Sequence, residues 1–242
     1  MRKAGVALVV VLAACAGQPE PTADSSRRIE AVSSCAPIST VAPPAGPSPS
    51  AFRDLVRAEN SHPYTVTFTL DGCPAPYHPF GSETWFVSGS RTRMDISRET
   101  PMESFYVLPE GTFECPHLSD GLQCFNSSLT LDVTSPAAKV DREIRRDPDR
   151  FRAAFAGTRR IANADAQCFD LSPTASDTSF SVMGDPISHA TICYAANGTP
   201  LFVRFETQGD AFIAGFFIAE ATSYGIPRED DFALPATPGK RP

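Results

Sequence analysis

The sequence has no apolar run long enough to cross a bilayer. Its longest covers residues 4–14, whereas a spanning helix needs about 20, so no segment reads as a transmembrane helix. Histidine is scarce: His62, His78, His117 and His189 are the four. None has the H-E-x-x-H spacing that puts two imidazoles on one helix face for zinc. No G-x-S-x-G elbow is present, which removes the hydrolase arrangement that exposes a serine at a strand-to-helix turn. No glycine-rich loop leads into a helix to cradle phosphate. Basic residues are outnumbered, 21 against 28 acids, for a net charge of −7. Such a chain has no electrostatic footprint for nucleic acid. Asp185, Ser188 and His189 lie close in sequence, but triads assemble from distant segments, and a polar loop is the plainer reading. Glu83, Asp95 and Glu103 could pair as carboxylates, yet exposed alternation along strands explains them equally well. The expectation is a non-enzymatic protein with no cofactor, no metal and no nucleic-acid partner.

What is present begins at the N-terminus. Met1-Arg2-Lys3 sets two positive charges before the apolar stretch, the layout of a secretory signal. The stretch closes on Leu12-Ala13-Ala14-Cys15, which resembles the lipobox of bacterial lipoproteins. The resemblance implies cleavage after Ala14, acylation of the Cys15 thiol, and Cys15 as the first mature residue. Several acyl chains at one site hold a bilayer stably, where one chain holds it only marginally. Residues 1–14 are thus expected to be a signal peptide. The expected location is extracytoplasmic, with the membrane as partner through the N-terminal lipid. Residues 15–50 are rich in Pro, Ser, Ala and Thr, too poor in apolar surface to fold and stiffened by proline, and read as a tether. Residues 236–242 read as a fraying tail. Loss of Arg2 and Lys3 takes the net charge to −9, which leaves lipid rather than a polybasic patch to hold the membrane.

Seven cysteines less Cys15 leave Cys35, Cys73, Cys115, Cys124, Cys168 and Cys193. An even number in an exported protein reads as disulfides. Cys115 and Cys124 flank the turn signal Ser119-Asp120-Gly121, so they are expected to face each other across a hairpin. Cys168 and Cys193 sit in alternating segments that could be neighbouring strands. Elimination leaves Cys35 with Cys73, pinning the tether to the domain. A zinc site from Cys115, His117 and Cys124 fits no common ligand spacing.

Residues 51–235, about 185 in number, suit one domain with a sizeable core. Phe52, Leu55 and Val56 fall at i, i+3 and i+4 after Pro49-Ser50, which predicts a helix of about ten residues. Tyr64-Thr65-Val66-Thr67-Phe68-Thr69-Leu70 then alternates with period two, as a half-buried strand does. Residues 83–88 with 91–97, and 103–108 with 112–115, flank turn signals and predict hairpins; 122–126 adds a strand. In residues 136–157 arginine is frequent, and Val140/Ile144 and Phe151/Phe155 are each four apart. That predicts two short amphipathic helices or one broken helix, with Asp147 capping the second ahead of Pro148 and the arginines on a solvated face. Strands resume at 160–171, 179–183, 190–196 and 201–206, the last two around Asn197-Gly198, a strong hairpin turn. In the apolar strand 211–221, Phe212, Phe216 and Ile218 share one face, and Ile213, Phe217 and Ala219 the other.

The order of elements resembles the LolA/LolB-like fold, which includes LppX/LprG-type lipoproteins and RseB. The likeness is carried by the opening helix before residues 64–70, by Arg91-Thr92-Arg93-Met94-Asp95, by Ala166-Gln167-Cys168-Phe169-Asp170-Leu171, by the hairpin over residues 194–206, and by Asp231-Phe232-Ala233-Leu234-Pro235. It implies a mostly β (α+β) domain: a curved antiparallel half-barrel of about ten strands with a few helices on its concave side. Alternation puts Phe68, Trp85, Met94, Phe105, Phe212 and Phe216 on that concave face as cavity candidates. The expected function is binding of a hydrophobic ligand, a lipid or acyl chain. The alternative is a sensory or interaction lipoprotein that engages an envelope protein partner through the same sheet.

The anchor is directly testable. Cys15→Ser is expected to abolish acylation and normal cleavage while leaving the domain folded. Growth with radiolabelled palmitate followed by membrane fractionation reads this out, and label retained on the serine variant would end the lipobox reading.

Overall fold

The computed structural model describes residues 49–58, 62–73, 81–97, 102–118, 121–128, 135–174, 180–182, 185–207 and 215–239. Cys15, Cys35, His78, Phe212, residues 1–48 of the signal and tether, and the end of the tail lie outside them. Helix α1 (Pro49–Ala58) leads into β1 (Tyr64–Cys73), β2 (Ser82–Ser88), β3 (Arg91–Ser97), β4 (Glu103–Leu108) and β5 (Gly111–Leu118). Two short strands follow, β6 (Gly121–Leu122) and β7 (Phe125–Asn126). Helix α2 (Pro136–Arg146) and a 3-10 turn (Pro148–Arg150) precede β8 (Phe151–Ile161), β9 (Ala164–Pro173), β10 (Ser181–Val182), β11 (Asp185–Ala195), β12 (Pro200–Thr207) and β13 (Gly215–Gly225). A second 3-10 turn spans Glu229–Phe232.

Among the described residues these thirteen strands form one sheet in the order β6-β5-β4-β3-β2-β1-β13-β12-β11-β9-β8, with β7 beside β5 and β10 beside β11. Every pairing between strands is antiparallel. Two meanders meet where β1 pairs with β13, and α2 lies in the chain between them. The protein is thus mostly β, with an open, curved antiparallel sheet and, among the described residues, two α-helices.

Register fixes which side chains share a face, because residues directly opposed in an antiparallel ladder point the same way. Phe68 stands opposite Glu83 on β2 and Ala221 on β13, and Val66 opposite Trp85. Trp85 faces Met94, which faces Phe105. Across the other half, Ala219 faces Val203, Val203 faces Ile192, and Ile192 faces Phe169. This continuous apolar surface is the inner face. Phe52, Leu55 and Val56 of α1, and Ala137, Ala138, Val140 and Ile144 of α2, complete its core. Phe52 packs on Phe169 with ring centroids 5.3 Å apart. Each fully buried aliphatic or aromatic side chain contributes about 1.5–3 kcal/mol, so the helices are held mainly by this apolar stripe.

A second cluster forms on the outer face of the first meander. Tyr106, Leu108, Phe113 and the Cys115–Cys124 disulfide are buried with Phe232 of the C-terminal segment, flanked by Leu234 and Ala236. Gly239 N–H donates to the Cys124 carbonyl at 2.8 Å. The chain end, expected to fray from 236, is therefore tied down as far as 239. Cys168 and Cys193 are opposed on β9 and β11, Cα atoms 3.9 Å apart, and form the second disulfide. Cys73 ends β1, and the expected bridge to Cys35 falls outside the described residues.

Three expectations are corrected. Residues 151–157 are strand, not a second helix. Phe151 and Phe155 are four apart, a spacing that puts two side chains on one face of a helix and equally on one face of a strand. The exposed residues between them, Arg152 and Ala154, show the period of two. Asp147 accordingly ends α2, makes no side-chain cap for the 3-10 turn, and leaves capping of α2 to Ser135, whose Oγ accepts from Ala138 N–H. Residues 160–171 are not one strand: β8 ends at Ile161, the β8–β9 hairpin turns on Ala162 (φ 48°) and Asn163 (φ 65°), and β9 begins at Ala164. Lastly, Phe216 and Ile218 are on the outer face, and the inner face of β13 carries Phe217, Ala219 and Ala221. An all-apolar strand gives no alternation by which to choose a face; the register with β1 chooses it.

Ala162 adopts a left-handed conformation that costs an L-residue about 1–2 kcal/mol, partly offset by the extra chain entropy glycine loses. Ala162→Gly is therefore expected to stabilise the domain by about 0.5–1 kcal/mol. Urea unfolding midpoints check it, and a lower midpoint for the variant would contradict the turn assignment.

Candidate functional site

Helix α2 spans the inner face and is fixed at both ends by buried polar contacts. At its start, Ser135 Oγ donates to Glu83 Oε2 at 2.6 Å, and Trp85 Nε1 donates to the same oxygen at 3.1 Å. Near its end, Arg145 donates to Asp141 (2.7 Å), to the Val56 carbonyl of α1 (2.8 Å) and to the Gly198 carbonyl of the β11–β12 turn (2.8 Å). Tyr194 of β11 donates its hydroxyl to the other Asp141 oxygen at 2.9 Å, and its ring lies 5.0 Å from the Arg145 guanidinium carbon.

Between α2 and the β1–β3 part of the sheet lies a cleft of about 210 Å³. Tyr64, Trp85, Val87, Thr92 and Met94 form its floor, Gly89 of the β2–β3 turn its rim, and Ala138, Asp141, Arg142 and Arg145 its helical wall. Trp85 and Met94, two of the cavity candidates, are thus brought together. Phe68 and Phe105 are buried in the core beside them rather than on the cleft, Phe68 packing tilted against Trp85 with ring centroids 4.7 Å apart. Phe216 is under the Arg204 guanidinium on the opposite face of the sheet, 4.4 Å from it. The arginine wall of the cleft was not read from the sequence. Its only signal was that Asp141, Arg142 and Arg145 sit on a helix whose other stripe is apolar.

The other chemistry-bearing residues do not converge there. Ser188 Oγ donates to the Glu206 carbonyl, and His189 contacts not Ser188 but Asp170 of β9, Nε2 to Oδ1 3.7 Å. His117 is exposed, and Cys115 is committed to its disulfide. Glu83 is on the inner face, whereas Asp95 is on the outer one, bound by Arg93 and Ser104. No group of three or more His, Cys, Asp or Glu is placed to hold a metal among the described residues. No described helix is long and apolar enough to cross a membrane.

No family model matches the chain, and no curated protein matches it. Among solved structures it is similar to MucB, at 13% identity and a TM-score of 0.50, over 77% of this chain and 62% of that one. It is also similar to the lipoprotein LppX of Mycobacterium tuberculosis (12%, TM-score 0.49, 75% and 96%) and to a LolA-superfamily protein of Nitrosomonas europaea (9%, TM-score 0.35, 74% and 94%). The chain spans less than two thirds of MucB. The likeness is one of fold.

The outer-face pair gives a pH dependence. Attraction to Asp170, opposed by burial, raises His189 above its ordinary 6.5, and the same contact lowers Asp170 below its ordinary 3.8. The His189 contribution is complete below about pH 6.5 and lost as pH rises through the raised value. That of Asp170 is complete above 3.8 and lost as pH falls through the lowered value. Their joint stabilisation is expected to be greatest between about pH 4 and 6.5. His189→Gln should therefore cost more stability at pH 5.5 than at pH 9. Equal losses at both pH values in urea unfolding would show that the pair does not titrate as described.

Proposed function

We propose that this chain is an exported, non-catalytic binding protein, anchored to the membrane through lipid on Cys15, that takes a hydrophobic ligand into the cleft under α2. The observation that carries the reading is the cleft itself: an apolar floor of Tyr64, Trp85, Val87 and Met94 opening beside a helix that covers the inner face. The N-terminal pattern and the two disulfides support an oxidising compartment outside the cytoplasm. The printed names of the similar structures include a lipoprotein and a LolA-superfamily protein, in keeping with an envelope role. A partner-binding reading, in which the same sheet engages an envelope protein, is favoured by one feature. The inner face is filled, and about 210 Å³ falls below the roughly 300–1,000 Å³ of drug-sized ligand pockets.

Native mass spectrometry separates the two. Full-length protein carrying Cys15→Ser, recovered without detergent, is expected to retain a small apolar molecule. Thr92→Phe, which fills the cleft from the sheet with a residue that strands favour, is expected to remove that molecule and leave near-UV circular dichroism native. A ligand-free wild type, or a ligand that survives the filled cleft, would favour the partner reading.

A further inference from the structure

The sheet has an open end at β8. This strand is the last in the order, and its described backbone pairs with β9 alone. It runs 11 residues, Phe151–Ile161, a length of about 36 Å for an extended chain. Which of its backbone groups face outward follows from the register. Phe151 stands opposite Pro173, and Thr174 N–H donates to the Arg150 carbonyl at 2.8 Å. Proline has no N–H to give, so Phe151 and Pro173 form a pair of the non-hydrogen-bonded kind, and the alternation repeats at Ala153 and Phe155. The N–H and C=O groups of Ala153 and Phe155 therefore point away from β9. Neither residue has a hydrogen bond on that side among the described residues. The neighbouring side chains leave these groups accessible: Ala154 and Ala156 are small and exposed, and Phe155 is half-buried.

An open edge accepts any unpaired strand unless its side chains discriminate. β8 carries Arg152, Arg159 and Arg160 and no acid. Arg159 is turned back over Phe202 and pairs with Glu220. Arg160 is 3.4 Å from Asp165 with both side chains mostly exposed, a pair of little strength. Arg152 is exposed and in no ion pair among the described residues. Of the neighbouring acids, Asp170 is held by His189 and Thr191, and Asp149 by Arg53. With the flanks included, residues 147–165 hold four arginines and three aspartates, a net +1, which leaves −8 for the rest of the chain. A second copy is the wrong occupant. Two β8 strands laid antiparallel over their full length set Arg152 against Arg160 twice, and like charges directly opposed destabilise a ladder. We propose that β8 takes up an extended, acidic segment of a partner protein as an added strand. The segment's main chain bonds Ala153 and Phe155, an apolar side chain covers Phe155, and its carboxylates lie toward Arg152 and Arg160. Strand addition of this kind draws affinity from backbone bonds and selectivity from side chains. The edge is separate from the cleft and needs no ligand there.

The probe is a labelled peptide alternating glutamate and valine, titrated by fluorescence anisotropy into the full chain carrying Cys15→Ser. Its lysine–valine counterpart and a backbone N-methylated copy are the comparisons. The glutamate peptide is expected to bind about tenfold more tightly than the lysine peptide, and Arg152→Glu with Arg160→Glu to reverse that preference. Hydrogen exchange at the Ala153 and Phe155 amides is expected to slow on binding. The N-methylated copy, which has no N–H to donate, is expected not to bind. Ala153→Pro removes an outward donor and spares the β9 ladder; it is expected to weaken binding at least about tenfold with near-UV circular dichroism unchanged. Should that variant unfold, the N-methylated peptide makes the same test on the intact edge. Equal affinity for the two charged peptides, unmoved by the charge reversal, would overturn the acidic partner. Binding that survives N-methylation, or that leaves exchange at Ala153 and Phe155 unchanged, would overturn strand addition, as would a glutamate peptide that does not bind. A concentration-dependent dimer in sedimentation, lost in Ala153→Pro, would assign the edge to a second copy instead.

Discussion

The arrangement of both helices over the sheet passes through the Arg145 guanidinium. It reaches a carbonyl of α1, a carboxylate of its own helix and a carbonyl of the β11–β12 turn, and so ties three elements that sequence places far apart. Only 12% of its side chain is exposed, so the bonds are made where water competes little. Breaking a buried pair of this kind costs about 3–5 kcal/mol, because the surviving charge is stranded. Apolar burial accounts for more of the total stability, but it is non-directional. Phe52, Val140 and Ile144 would bury comparably with α2 shifted along its axis. The guanidinium cannot move without losing its partners, so it sets where α2 sits, and with it the shape of the cleft.

The start of α2 obeys the same logic with opposite charge. Glu83 is on an apolar face, 1% exposed, where a carboxylate is costly unless bonded. Ser135 and Trp85 both donate to it, and Ser135 also caps the helix. One carboxylate thus connects β2, the indole that floors the cleft and the first turn of α2. Held at each end, the helix acts as a fixed wall. In its first turn the helix presents Ala138 to the space beneath it. Alanine there, small and a strong helix former, is consistent with both the helix and the open volume.

The parts of this fold that were legible in the sequence are those in which period and punctuation agree. Residues 64–70 alternate strictly and became β1; Asn197-Gly198 marks the turn between β11 and β12; Ser88-Gly89-Ser90 marks that between β2 and β3. Phe52, Leu55 and Val56 gave α1. What failed did so where local pattern is degenerate. Four-residue spacing could not tell β8 from a helix. Ala162-Asn163, which lacks glycine, hid a tight turn. In β13 hydrophobicity on both faces left Phe216 and Phe217 indistinguishable until the partner strand set the register. The site was half legible. Trp85 and Met94 were accessible because inner-face alternation finds them. Arg142 and Arg145 were not, since an arginine on an amphipathic helix reads as solvated face, and only tertiary structure shows one buried as a clamp and the other exposed beside a cleft.

The two faces of the sheet have different tasks, and the disulfides follow the division. On the outer face Cys115–Cys124 sits in the cluster that receives Phe232, and the C-terminal segment is bonded to that same cysteine's carbonyl. Arg93, between the rings of Phe86 and Tyr106, bonds the Asp231 carbonyl and secures the segment from the sheet side. Cys168–Cys193 links β9 to β11 beneath the second helix-covered half. Covalent links and strap therefore stiffen the sheet from behind, and among the described residues the helices close its front. An inner face built this way can vary by repacking one helix while the sheet stays rigid. The narrow cleft is then a consequence of where Arg145 and Glu83 place α2, not of any shortage of apolar surface beneath it.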